Sequence, residues 1–205
     1  MSPLFTVNGM IDFDVPQDSP SEFRLALEAL RYAQVRDELD IEPLPAPPSI
    51  GAFAITFKAN VKTALSGVEG DAGTGRFVMI WEPEPQEAWA SNFRIVCFAK
   101  SPLETNIGAD EQISDVVWAW LTEALANRHA SYGAIAGTAT RIMSTGYGSL
   151  SSQHDHAELE LRASWSPLDT NVASSFEAWL DLICIMSGFP NLPTGVTSLD
   201  FTSRR

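Results

Sequence analysis

AELELRASW, residues 157–165, alternates without a break: Ala157, Leu159, Leu161, Ala163 and Trp165 are apolar, and Glu158, Glu160, Arg162 and Ser164 between them are polar. Successive side chains of a strand point to opposite faces, so this stretch predicts a strand with one face buried and one wet. One-sided strands belong to antiparallel sheets, whose helices gather on a single face. The fold class follows outward from that reading.

Phe53–Val61 repeats the pattern, with Phe53, Ile55, Phe57, Ala59 and Val61 alternating against Ala54, Thr56, Lys58 and Asn60. Arg76–Trp81 and Phe93–Ala99 are apolar on both faces, as central strands are. Ile135–Ser144 completes a set of five. The glycine-rich SGVEGDAGTG reads as a turn, EPEPQEAWASN as a loop in which Pro83 and Pro85 stop a strand, and DELDIEPLPAPPS as a stiff, proline-fixed connector. Three helices are expected. The first starts at an N-cap Ser19 with Pro20 and a capping-box Glu22, buries Phe23, Ala26, Leu27, Leu30 and Ala33, and ends near Arg36. The second is capped by Ser114 and shows Val117, Leu121, Ala124, Leu125 and Arg128 on one face. The third has Ser174 and Glu177 as a capping box, buries Phe176, Trp179, Leu180, Ile183 and Cys184, and stops at Gly188 before Pro190. The expected architecture is α+β, in the order α-β-β-β-α-β-β-α: an antiparallel five-stranded sheet with helices mainly on one face. One domain, 19–199, lies between an N-terminal arm or tail, 1–18, and a C-terminal tail, 200–205.

With 45% hydrophobic and 19% charged residues, the 205-residue chain has ample material for a core. No apolar run approaches the ~20 residues that span a bilayer, and the first ten residues lack the basic and apolar segments of an export signal. A net charge of −13 repels phosphate backbones, which weighs against nucleic acid as a partner. Cys97 and Cys184 sit in apolar stretches (RIVCFA, LICIM) and read as buried reduced thiols, which makes the cytoplasm the expected compartment. Ten arginines against three lysines hint at a GC-rich genome.

Catalytic patterns are missing from this reading. GDAGTGR (Gly70–Arg76) is followed by a strand rather than by the helix a phosphate loop needs. His154 and His156 in HDH share a strand face, yet two imidazoles do not make a metal site. There is no G-x-S-x-G elbow, and Glu158 and Glu160 read as solvated neighbours. Neither a catalytic residue nor a cofactor is assigned. What stands out is one arginine in each of four strands: Arg76, Arg94, Arg141 and Arg162. On the face opposite the helices, interleaved with Val78, Ile80, Val96 and Phe98, they would form a cationic and partly apolar surface suited to a protein or an anionic ligand. The competing arrangement pairs them with Glu82, Glu158 and Glu160. Trp89, in a polar loop, is a candidate anchor at the rim. The binding candidates are therefore Arg94, Arg141, Arg162, Arg76, Trp89 and Phe98. The expected function is a non-enzymatic, homodimeric protein-binding adaptor or chaperone-like module. The alternative is a small-molecule-binding protein or enzyme with an anionic ligand in a pocket between sheet and helices.

TGRFV (74–78), QEAW (86–89), WAWLTEAL (118–125), GTATR (137–141), AELELRASWSP (157–167), EAW (177–179) and GFPNLPTGV (188–196) together resemble the actinobacterial family called domain of unknown function 3000, across residues 20–199. The resemblance implies a soluble, cytoplasmic, actinobacterial protein and transfers no activity or site residue. The predicted element order is also similar to that of type III secretion chaperone-like proteins, which are small, acidic and dimeric and bind extended client segments. That likeness is of topology alone.

Overall fold

The structure is a computed structural model that describes residues 10–62, 73–151 and 155–189. Its elements in chain order are α1 (Ser21–Arg31), β1 (Leu39–Leu44), β2 (Phe53–Val61), β3 (Thr74–Gln86), β4 (Ser91–Leu103), α2 (Thr105–Gly108), α3 (Ile113–Asn127), β5 (Tyr132–Ser144), a 3-10 turn at Gly148–Leu150, β6 (His156–Pro167) and α4 (Val172–Met186). All strand pairs are antiparallel, in the order β1-β2-β3-β4-β6-β5. The fold is α+β, as the alternating strands predict. Among the described residues the sheet has six strands rather than five, and the short α2 makes a fourth helix.

The additional strand, β1, lies in the segment expected to be a connector. It pairs with β2 from Leu39↔Val61 to Leu44↔Thr56. Pro43 cannot donate to a ladder, but an edge strand is bonded along one side only, so proline is tolerated there. Pro83 and Pro85 likewise fail to stop β3, which continues to Gln86. Phe53↔Trp81 is the last pair that β3 makes with β2, and its register with β4 is itself irregular between Trp81 and Gln86, so no regular ladder bond is demanded of either proline.

Neither capping box forms. Ser19 Oγ donates to the Pro16 carbonyl at 2.7 Å, while the Glu22 carboxylate accepts from Trp81 Nε1 at 3.1 Å and ties α1 to the sheet. Helix α1 ends at Arg31 rather than Arg36. Ser174 lies inside α4, whose N-cap is Asn171. The C-terminal signal does hold: Gly188 has φ +82°, its N–H donates to Ile185 O at 3.0 Å, and Phe189 N–H reaches Cys184 O at 2.9 Å, the paired bonds of a Schellman motif.

Helix α4 is buried almost all round, because it packs on the sheet between α1 and α3. Phe176 meets Phe57 and Phe77 edge-on, each pair with ring centroids 5.1 Å apart, and Trp179 closes on Phe77 at 5.5 Å. Each buried aromatic contributes ~1.5–3 kcal/mol from area, with roughly 0.5–1.5 more per well-placed ring pair. The indoles are satisfied: Trp165 Nε1 donates to Ser175 Oγ (3.1 Å) and Trp179 Nε1 to Phe98 O (3.0 Å). Gly75 lets α4 approach β3, since a Cβ there would stand 2.5 Å from Ile183 Cδ1 and 2.8 Å from Phe98 O. Of the expected N-terminal arm, residues 10–18 pack against their own chain. Ile11 and Phe13 are buried, and Arg31 both covers the Phe13 ring (4.9 Å) and donates to its carbonyl (2.9 Å). Positions 1–9 and 200–205, the glycine-rich positions 63–72 and His154 lie outside the described residues.

Candidate functional site

The sheet face away from the helices is built by register. Arg76 stands opposite Phe98, which in turn stands opposite Arg162 and Thr138 in line; Ile80 faces Arg94, and Val78 faces Val96. Paired residues point to the same side, so Arg76, Arg94, Phe98 and Arg162 share this face, as expected. Its two halves differ. On the β2–β3 side Thr56, Val78 and Ile80 are buried, and Thr56 Oγ1 has no hydrogen-bond partner among the described residues. On the β4–β6–β5 side Val96 is 39% exposed and the Arg162 side chain 66% exposed. That half is the candidate site.

The cations on it and on the adjoining β3 have distinct surroundings. Arg162 lies over the Phe98 ring at 5.0 Å and reaches Glu160, on its own strand, at 3.3 Å. Lys100 pairs with Glu158 at 2.8 Å across β4–β6. Arg76 is exposed and has no ion-pair partner among the described residues. Arg94 is half-buried and committed: it donates to Ala134 O (2.9 Å), Ser166 Oγ (3.2 Å) and Ser164 Oγ (2.6 Å), and burial lowers its pKa from the ordinary value. Those bonds cross β6 to the irregularity in β5 between Gly133 and Ala136, where Ala134 adopts φ +49°. Arg94 therefore braces the sheet rather than presenting a free charge.

Arg141 does not join this group. It stands opposite Leu159, a core residue, so it projects on the helix side of β5 and is exposed there. Trp89 is half-buried in the turn that joins β3 to β4. Phe98 lies seven residue steps along β4 from Ser91, beside that turn, about 23 Å at roughly 3.3 Å per step. The tryptophan therefore does not rim the Arg162–Phe98 pair.

A second charged cluster joins the helices. Arg128, beyond α3, donates from Nε and Nη2 to Asp181 (2.6 and 3.0 Å) and from Nη1 to Glu177 (3.0 Å). Arg36 approaches the same Asp181 at 3.6 Å and holds Glu38 in a two-pronged bond (2.6 and 3.2 Å). Gln34 N–H donates to Glu177 at 2.7 Å. Asp181 is nearly fully buried, and its hydrogen bond is the main cause that raises the Arg128 pKa; the Arg36 hydrogen bond is the main cause that holds the Glu38 carboxyl below its usual range. The arrangement satisfies its own charges and clamps the α1–β1 connection, α3 and α4 together. Sequence reading places Arg128 on the packed face of its helix, but its partners lie 49 and 53 positions away.

Burial pushes both thiols, Cys97 and Cys184, up to about 12, so neither is a ready nucleophile. Among the described residues no group of three or more His, Cys, Asp and Glu is arranged to hold a metal, and no helix is long and apolar enough to cross a membrane. A groove of about 590 Å³ runs beside α1 along Arg24, Leu25, Glu28 and Tyr32, and a cleft of about 270 Å³ lies by Phe93, Pro167 and Leu168.

Fold and site define a two-layer α+β protein in which no described helix covers the β4–β6–β5 half of the outer sheet face, a half that mixes apolar Val96 and Phe98 with charged residues of both signs. The chain belongs to the family described as Protein of unknown function (DUF3000), whose model matches residues 19–197. No curated protein and no solved structure matches it.

Proposed function

We propose that the protein is a non-enzymatic binding module of the cytoplasm, an adaptor or chaperone-like protein that holds an extended segment of another protein across the β4–β6–β5 half of its sheet. The observation that carries the reading is the exposed Val96 one row along β4 from the line Arg76–Phe98–Arg162, in which Arg162 stacks on Phe98 and Arg76 has no ion-pair partner among the described residues. Apolar area there supplies affinity, and arginines select acidic side chains in the occupant. The alternative pocket between sheet and helices has less support, because that layer is filled by Phe57, Phe77, Phe176 and Trp179.

The test uses the full chain as bait in its own host, beside an Arg76→Ala/Val96→Ser/Arg162→Ala variant. Urea midpoints and circular dichroism establish that the variant folds. One recurrent protein retained by the native chain and lost at least tenfold by the folded variant supports the reading. A partner retained equally, or a small-molecule mass carried by the native chain instead, removes it.

A further inference from the structure

The sheet has two edges, and they are constructed differently. β1 is six residues long, contains Pro43, and carries Asp40 and Glu42 on its open face. Short length, proline and charge are the usual means by which an edge is kept from pairing with another strand. β5 is thirteen residues long and has no proline, no lysine and no acid, with Arg141 as its one charge. From Ala136 to Ser144 it pairs with β6 without interruption, so its outer side offers a regular ladder that no other described strand pairs with. Arg94 fixes the irregular end of the strand through Ala134 O.

Charge identifies the occupant. In a chain with net charge −13, two copies repel wherever their acids meet. No Asp or Glu occurs between Glu123 and Asp155, and β5 lies inside that interval. Exposed apolar side chains flank the edge: Met143 on it (51%), Ile107 of α2 beside its end, and Leu168 (62%) at the other end against Gly133. We infer that β5 pairs antiparallel with β5 of a second copy of this chain, giving one continuous sheet of twelve strands from two sheets of six. The two-fold axis is then perpendicular to the sheet, with both helix layers on one side and both β4–β6–β5 faces on the other. This pairing stands apart from client binding, since it needs only the strand edge.

The test is sedimentation equilibrium on the full chain and on Thr140→Lys/Ile142→Lys. Within one copy each new lysine stands opposite a carboxylate of β6, Glu160 and Glu158, so folding is retained. Across the seam four lysines crowd together, and the dimer should weaken by about 100-fold. Single cysteines at Ala136, Thr138 and Thr140 are read in parallel, because both native thiols are buried. Disulfide-linked dimers should form at one or two neighbouring positions and not from Arg24→Cys on α1. A native chain that stays monomeric at high concentration, a dimer that the lysine pair leaves intact, or cross-linking as strong from Arg24→Cys would each overturn the inference.

Discussion

Arg94 and Arg162 are the same residue type on neighbouring strands, and the sheet uses them in opposite ways. Arg94 spends its guanidinium on two serines and a backbone carbonyl, so Arg94→Ala should lower stability by roughly 1.5–3 kcal/mol, the range for hydrogen bonds to a charged group. Arg162→Ala should change the urea midpoint little, because a largely exposed ion pair contributes ~0–1 kcal/mol. In the helix clamp, Asp181→Ala removes the nearly fully buried carboxylate bound by Arg128 while Arg128 keeps Glu177 and Arg36 keeps Glu38, and should cost about 1.5–3 kcal/mol in chemical denaturation, the range for hydrogen bonds to a charged group. Glu38 gives the clamp a pH dependence. Its carboxyl pKa is lowered on folding by the Arg36 hydrogen bond, so its contribution is full above the ordinary value of 4.5 and is lost as pH falls through the lower folded value. The stability gap between the native chain and Glu38→Gln should therefore close on acidification. A gap that is unchanged or widens would show that the bond contributes nothing to folding.

At the scale of elements, close approach decides more than propensity does. Gly75→Ala forces Ile183 and the Phe98 carbonyl apart from β3, and overpacking of this kind costs ~1–3 kcal/mol. An unchanged denaturation midpoint would mean that α4 can retreat freely. The alternating strands were legible: the expected Phe53–Val61 coincides with β2, and Ala157–Trp165 lies within β6. Helix α4 was legible from its apolar stripe and Gly188, though not its start, because Ser174 resembles a cap in sequence and packs inside the helix instead. β1 and the end of β3 were hidden by prolines, whose compatibility with an edge or an irregular ladder depends on which neighbours exist. The site was legible to the extent that parity within a strand reveals a face. Arg162 alternates with core residues and is placed by that alone. Arg141 could not be, since Ile135 and Met143 on one side of β5 and Ala136 and Ile142 on the other leave both faces equally apolar. The Arg128–Asp181 clamp was out of reach, because nothing local links residues that meet only when α3 and α4 pack.

For the whole molecule, charge and sheet order act together. The acidic chain keeps copies apart in general, and the acid-free interval around β5 marks where that repulsion is weakest. Raising ionic strength screens the long-range term, so the β5-paired dimer should tighten modestly with salt, whereas a client drawn by Arg76 and Arg162 should loosen. Titrating both against sodium chloride separates the two surfaces without any substitution. Pro43 on the far edge has a consequence of another kind. A sheet with two receptive edges has a valence of two and can grow into a filament, while one with a single receptive edge has a valence of one. Once β5 is occupied, the next strand outward in either copy is β1, and growth ends there. Assembly through the inferred β5 seam would therefore terminate at a pair, its stoichiometry set by the short, acidic and proline-bearing strand at the opposite end of the fold.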